Sequence, residues 1–317
     1  MTDTHPRHGA HSRYQGLWLP LVTPFRDDRL DEASLRRLLR AYVSEVDGLV
    51  LGATTGEGLA LSPDEMRRVV ALAAEELAAA GLERLILVGL GGAVTAQVVQ
   101  ALRAAEAWGG DGYLVACPSY VRPAQEGLRR HFEAIADATD RDVLVYNIPY
   151  RTGVNLANDT LLRLAERTNI VGVKDCCADA AQSRDLIARR PAGFSVLAGE
   201  DAGLHAALRA GADGGVTASA HLDPGGFRRL CALASEGRWA EADAVWAGLA
   251  AIPPMLFAEP NPAPLKHCLW RMGLIDSPAL RLPMTPVSDD LAQRLDRALA
   301  AWGRAEAGLA VDPAARQ

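Results

Sequence analysis

Short apolar runs alternate with amphipathic stretches along most of this chain. The runs fall at residues 17–22, 48–51, 85–88, 112–116, 143–146, 170–174, 194–197 and 214–218. Each is four to eight residues long, rich in Val, Leu and Ile, and does not alternate with polar positions. That is the signature of parallel strands buried on both faces. Between them, helical periodicity predicts helices over 30–46, 62–80, 95–108, 125–139, 158–167, 180–189, 202–210 and 224–235. Asp31 stands as a cap for the first, and Ser62 followed by Glu65 forms a capping-box pattern for the second. Eight strand–helix units predict a closed (β/α)₈ TIM barrel. An open doubly wound sheet would want a G-x-G-x-x-G turn after its first strand, and none stands there. Three further helices are expected at 239–249, 264–272 and 289–302, with proline-rich joints at 253–254 and 260–264. The expected organisation is a disordered tail at 1–14, the barrel at 15–236, a C-terminal helical extension at 237–304, and a frayed tail at 305–317.

Composition narrows the classes. The chain has 317 residues, a formal net charge of −6, 49% hydrophobic and 23% charged residues, which suits a globular domain with a large core. Mild acidity argues against a nucleic-acid partner. Charged residues or proline interrupt every apolar run before the length of a membrane span, so no membrane association is expected. The first 14 residues lack an apolar core, so they do not read as a secretory signal. Five cysteines without C-x-x-C spacing (Cys117, Cys176, Cys177, Cys231 and Cys268) fit buried thiols in a reduced, cytoplasmic protein. The adjacent Cys176 and Cys177 read as a small buried pair, with redox activity the less favoured alternative. Tail residues His5, His8 and His11 make at most a stray metal site. His131, His205, His221 and His267 are scattered without ligand spacing, so no metal is expected.

One bias changes the picture. Lys and Arg together number 33, yet lysine stands only at Lys174 and Lys266. Arginine serves wherever a fixed positive charge suffices, whereas lysine alone can lose its proton and attack a carbonyl. Lys174 ends the sixth strand, where a barrel places its chemistry. Burial there lowers its pKa and favours the neutral amine that Schiff-base formation needs. A buried ion pair with Asp175 or Glu200 is the competing explanation. Lys266 lies on a late helix and reads as a solvated or capping lysine. The other strand ends bring Thr54 and Thr55, Ser119 and Tyr120, and Tyr146 with Arg151. Tyr146 could relay protons or hold a carboxylate, Thr54 and Thr55 could bind a carboxylate, and Arg151 could clamp one in bidentate fashion. Each also has a bland reading, respectively core packing, a turn and a surface charge. Gly89 to Gly92 is taken as a tight turn rather than a phosphate loop, since barrels place phosphates after strands seven and eight.

Three segments, G-A-T-T-G-E at 52–57, Y-N-I-P-Y-R-T-G at 146–153 and G-V-K-D at 172–175, together resemble the dihydrodipicolinate synthase/N-acetylneuraminate lyase family, as do E-P-N-P at 259–262 and L-R-L-P-M-T-P at 280–286. The resemblance covers about residues 14–299. It implies a class I, Schiff-base, pyruvate-handling lyase with no cofactor beyond the imine on Lys174. It further implies Tyr146 and Thr54 as catalytic groups, Thr55 on the pyruvate carboxylate, and the Val216 carbonyl near the enamine. The synthase branch adds a tyrosine from a neighbouring subunit, matched by Tyr120, and an arginine for the second carboxylate, matched by Arg151. That branch condenses pyruvate with L-aspartate 4-semialdehyde to 4-hydroxy-tetrahydrodipicolinate, in lysine and diaminopimelate biosynthesis, as a homotetramer built as a dimer of dimers. Two alternatives stand: a paralogous pyruvate aldolase or dehydratase acting on a sugar acid or hydroxy keto acid, and a non-catalytic keto-acid-binding protein. The branch's lysine-inhibition pocket maps onto Ala93, Gln97, Met66 and Ser119: Ala93 and Met66 offer no strong acceptor, Gln97 keeps a carbonyl without the charge, and Ser119 removes the aromatic wall, so no lysine regulation is expected.

Overall fold

The structure is a computed structural model that describes residues 13–309. Eight parallel strands close into a barrel. They are β1 (Gly16–Pro20), β2 (Gly48–Leu51), β3 (Leu85–Leu90), β4 (Gly112–Ala116), β5 (Asp142–Asn147), β6 (Ile170–Asp175), β7 (Ser195–Ala198) and β8 (Gly214–Val216). Each pairs with its sequence neighbours, and β8 closes on β1, with Trp18 opposite Val216. The outer ring is α1 (Glu32–Tyr42), α2 (Pro63–Ala80), α3 (Thr95–Ala105), α4 (Gln125–Ala136), α5 (Asn158–Leu164), α6 (Ala180–Arg189), α7 (Leu204–Arg209) and α8 (Pro224–Ser235). A two-stranded hairpin, Phe25–Arg26 with Arg29–Leu30, precedes α1. The caps form as expected: Asp31 accepts from the Ser34 N–H, and Ser62 and Glu65 make a reciprocal capping box.

The C-terminal extension comprises α9 (Trp239–Leu249), α10 (Ile252–Leu256), α11 (Ala263–Arg271) and α12 (Asp289–Leu309). Pro253 and Pro254, expected as a joint, lie inside α10. Proline in a first turn forfeits an N–H that has no helical partner anyway, so the pair starts a helix instead of breaking one. Several expected helices are shorter than their apolar period, because the last turn tightens to 3₁₀ (Glu106–Trp108) or breaks. The three tail histidines lie outside the described residues, as do residues 310–317. Tyr14, assigned to the N-terminal tail, is buried instead, and its hydroxyl donates to Asp142 Oδ2 at 2.8 Å.

Two cores result. One lies between strands and helices; the other fills the barrel with Trp18, Val50, Leu87, Leu114, Leu144, Leu197 and Val216. Tyr14 stacks on Trp18 at 5.4 Å and plugs the N-terminal end. Gly48 makes room for that plug, since a Cβ there would sit 2.4 Å from the Trp18 ring. The interior is therefore solid below, and open chemistry is confined to the C-terminal mouth.

Two buried histidines make the fold acid-sensitive. His221 Nδ1 donates to the Ala218 carbonyl at 2.8 Å, and its Nε2 accepts the Val22 N–H at 3.3 Å. This fixes a neutral imidazole that ties β1's exit to the loop after β8. Burial pulls both His221 and His131 down to about 4. Their contribution is complete above the free value near 6.5 and drains away as pH falls toward 4, by about 3 kcal/mol each. Buried Asp201 opposes this: its carboxyl, raised to about 6, favours the fold by about 3 kcal/mol as pH drops. The net expectation is a loss of about 3 kcal/mol between pH 6.5 and 4. Guanidinium titrations at both ends check it; unchanged or greater stability at pH 4 would contradict it.

Candidate active site

β5 and β6 are paired so that Tyr146 faces Lys174 and Asn147 faces Asp175. Side chains alternate across a strand, so Tyr146 and Lys174 both enter the barrel. Lys174 Nζ lies 4.4 Å from the Tyr146 ring centroid. Both residues are 5% exposed, which removes the water that would stabilise a charged amine or phenolate. Burial therefore lowers the Lys174 pKa, against the opposing pull of Cys176, Asp201 and Glu200. Burial also holds the Tyr146 phenol well above its usual value; the Cys176 and Tyr150 groups add to this, and hydrogen bonding with Thr54 pulls it partly back. Lys174 makes no ion pair among the described residues. Asp175 is occupied elsewhere, accepting from Ser183 Oγ at 2.6 Å and the Cys177 N–H at 3.1 Å. The ion-pair explanation of Lys174 therefore does not hold.

The loop after β2 brings Thr54 and Thr55 to the same mouth. Thr55 is buried and its Oγ1 accepts from Asn261 Nδ2 at 3.0 Å. With the acceptor side so occupied, its own proton is left to donate to a carboxylate. Thr23 Oγ1 donates to the Gly56 carbonyl at 2.7 Å, pinning the turn. Arg151 sits on a one-turn helix, Pro149–Thr152, beyond β5, exposed, with its guanidinium 5.6 Å from the Tyr150 ring centroid. Asn147 positions that segment by accepting the Leu156 N–H at 3.1 Å and donating to Asn155 Oδ1 at 3.0 Å. Val216 is fully buried at the end of β8.

A cavity of about 490 Å³ is lined by Tyr150, Arg151, Glu200, Phe257 and Asn261 among others. Lys174 and Tyr146 do not line it. Asn261 does, and it also touches Thr55, so the cavity adjoins the threonine loop.

Lys174, Tyr146, Thr54, Thr55 and Arg151 thus converge on one mouth, and Val216 closes the ring below. Tyr120 does not join them within one chain. It is 92% exposed and left-handed at φ 70, held by its N–H donating to the Thr152 carbonyl at 3.2 Å. Cys176 is buried and its thiol hydrogen-bonds with Glu200, while Cys177 is only half-buried, so the two are not one buried pair. Gly199 leaves Cys176 its space, because a Cβ there would stand 2.3 Å from Sγ and 3.0 Å from Lys174 Cε. Gly89, read as part of a tight turn, ends up inside β3. Lys266 is neither solvated nor a cap: it is wholly buried and ion-paired with Glu57. Sequence reasoning also missed Asp201, which is buried, accepts the Ser219 N–H on its Oδ2 at 2.5 Å, and is close enough to Lys174 for its charge to act on the amine. An acidic residue after a strand carries no signal of that burial.

The sequence pattern of the Dihydrodipicolinate synthetase family matches residues 13–302. Among curated proteins, the 4-hydroxy-tetrahydrodipicolinate synthase 2 of Clostridium acetobutylicum is 41% identical over 288 residues, covering 90% of this chain and all of the relative. The crystal structure of the chloride-inhibited dihydrodipicolinate synthase of Acinetobacter baumannii, complexed with pyruvate, superposes with a TM-score of 0.86 at 35% identity, covering 91% of this chain and 99% of that one. The lysine-bound enzyme of Cyanidioschyzon merolae superposes with a TM-score of 0.87 at 28% identity, over 92% and 99%. By full-length sequence match and by fold, the chain belongs to the dihydrodipicolinate synthetase family.

Proposed function

We propose that this enzyme is a lyase that condenses pyruvate with L-aspartate 4-semialdehyde to 4-hydroxy-tetrahydrodipicolinate, in lysine and diaminopimelate biosynthesis. The observation that carries the reading is a desolvated, unpaired Lys174 amine against Tyr146, whose phenol hydrogen-bonds with Thr54. The neutral amine attacks the keto carbon of pyruvate, and loss of water leaves an imine. Thr55 and the loop N–H groups hold the pyruvate carboxylate. The imine withdraws electrons, the methyl group releases a proton, and the resulting enamine attacks the aldehyde carbon. Tyr146, kept protonated by burial, donates a proton to the oxyanion so formed, and Thr54 links it to the reacting group. The substrate's own amine then closes the ring and displaces Lys174. The covalent imine supplies the electron sink, so the sequence calls for no separate cofactor.

Arg151 at the rim, stacked on Tyr150 beside the 490 Å³ cavity, is placed to receive the second carboxylate. Tyr120, fully outward in one chain, is suited to complete the proton relay of a second copy in a homotetramer. A paralogous aldolase acting on a sugar acid is the second reading; it rests on Tyr150, which lines the cavity with Glu200, and on Cys176 and Cys177 beside Lys174, with the Cys176 thiol hydrogen-bonded to Glu200. A coupled assay separates them: pyruvate with aspartate semialdehyde must outpace pyruvate with any of a panel of sugar aldehydes. Faster turnover with a sugar aldehyde would reverse the assignment, and no turnover with any would leave a keto-acid-binding protein.

Lysine regulation is expected to be absent. Met66 is buried under the β2 loop, where a Cβ on Gly52 would meet its Sδ at 2.5 Å, and it offers no acceptor. Ala93 and Ser119 are half-buried and Gln97 is exposed and uncharged. Losing 1–3 kcal/mol at even two such positions weakens binding by roughly 10²–10⁴-fold. Calorimetric titration with lysine should show no saturable binding below millimolar concentration; submillimolar binding that lowers turnover would overturn this.

A further inference from the structure

The mechanism leaves one buried, charged cluster unused, and it joins the C-terminal extension to the threonine loop. Lys266 on α11 has no exposed surface. Its Nζ pairs with the Glu57 carboxylate, donates to the Ala279 carbonyl at 2.9 Å, and lies 4.3 Å from the Phe25 ring centroid. Arg281 lies at the same 4.3 Å from that ring; its backbone N–H donates to Glu57 Oε2 at 3.4 Å, and its guanidinium clasps Glu65 of the α2 capping box. Glu57 is therefore gripped twice from the extension.

Glu57 ends the T-T-G-E turn. Its backbone is left-handed at φ 51, a conformation a residue with a Cβ keeps only where its surroundings impose it. Its N–H donates to the Thr54 carbonyl at 3.2 Å, so the turn closes on the residue the ion pair holds. Burial pulls the Lys266 ammonium down to about 8, and Glu57 resists that fall. A charged pair at full burial is a poor source of stability relative to apolar packing, which points to a geometric role.

We propose that Lys266 is a positioning residue: through Glu57 it fixes the left-handed end of the turn that carries Thr54 and Thr55, and so sets the pyruvate-carboxylate site from the C-terminal extension. The inference rests on the reading of Thr55 as a pyruvate ligand. A loop displaced by an ångström should weaken pyruvate capture by about 10- to 100-fold while leaving Arg151 in place.

The test uses the full chain as parent, Lys266→Met, and the double variant Glu57→Gln with Lys266→Met. Borohydride trapping, followed by mass spectrometry of the Lys174 peptide, gives the pyruvate concentration at half-saturation, and steady-state assays give both Michaelis constants. The expected result is a rise of about 10-fold or more for pyruvate in both variants, with the aldehyde constant within about twofold. The double variant leaves no lone buried charge, so it should recover melting temperature without recovering pyruvate affinity; it also carries the test if Lys266→Met fails to fold. Normal trapping in the parent together with an unmoved pyruvate constant in the double variant overturns the inference alone. No trapping at Lys174 in the parent overturns the functional reading and this inference with it.

Discussion

Lys174→Arg is expected to lose as much turnover as Lys174→Ala, about 10⁴-fold or more in each case. The equality is the informative part. Arginine keeps the positive charge, fills the space and could still attract a carboxylate, so a binding role would leave it partly active. A guanidinium does not give up its proton in a protein and forms no imine. Burial, the largest influence on Lys174, favours the neutral amine against the opposing pull of Cys176, Asp201 and Glu200: the residue is 5% exposed, and no carboxylate pairs with it among the described residues. Borohydride added with pyruvate should place one reduced pyruvyl group on the Lys174 peptide. The chain offers a sharp internal control, because its other lysine, Lys266, is also buried and also has a lowered pKa. Lys266 is ion-paired with Glu57 and screened by Phe25 and Arg281, so it has neither a free lone pair nor a path for a keto acid. Label on Lys266 would refute the assignment outright.

That contrast also shows what a sequence can and cannot carry. Strand ends are visible as the last apolar residue before a polar one, so Thr54, Tyr146 and Lys174 could be placed on one barrel mouth before any coordinates. The parity of the β5 and β6 pairing, which turns Tyr146 and Lys174 to the same side, follows from period-two alternation once the register is set. Lys266 was misjudged because helical periodicity locates a residue on a helix but says nothing of what packs against the polar face. Its partner Glu57 is more than 200 residues away in sequence, and no local rule links them. Pro253 and Pro254 misled for a related reason: a breaker signal is the same whether proline ends one helix or begins the next. Tyr120 is a third kind of case. Its left-handed backbone and 92% exposed ring stand apart from the mouth of its own chain, and the role expected for it came from the resemblance, not from any pattern in its own neighbourhood.

The second large effect concerns which aldehyde is taken. Arg151→Ala should raise the Michaelis constant for aspartate semialdehyde by roughly 10- to 100-fold and leave that for pyruvate within about twofold. The size follows from a charge-assisted hydrogen bond worth about 1.5–3 kcal/mol, at about 1.4 kcal/mol per decade. The upper end is tempered by exposure, since Arg151 sits at the solvent rim and water can partly replace it. Selectivity comes from location. In the proposed reading Thr55 and the turn pinned by Thr23 serve the first carboxylate inside the barrel; Arg151 stands outside, stacked on Tyr150 at the adjoining cavity. Arg151→Lys tests geometry against charge: it keeps the charge but loses the planar fork and the stacking on Tyr150, so it should fall between wild type and alanine. An aldehyde without a carboxylate gives the complementary measurement, because its turnover should be indifferent to Arg151. If Arg151→Ala instead raises the pyruvate constant alone, the guanidinium serves the first substrate, and the substrate choice proposed for this enzyme loses its physical basis.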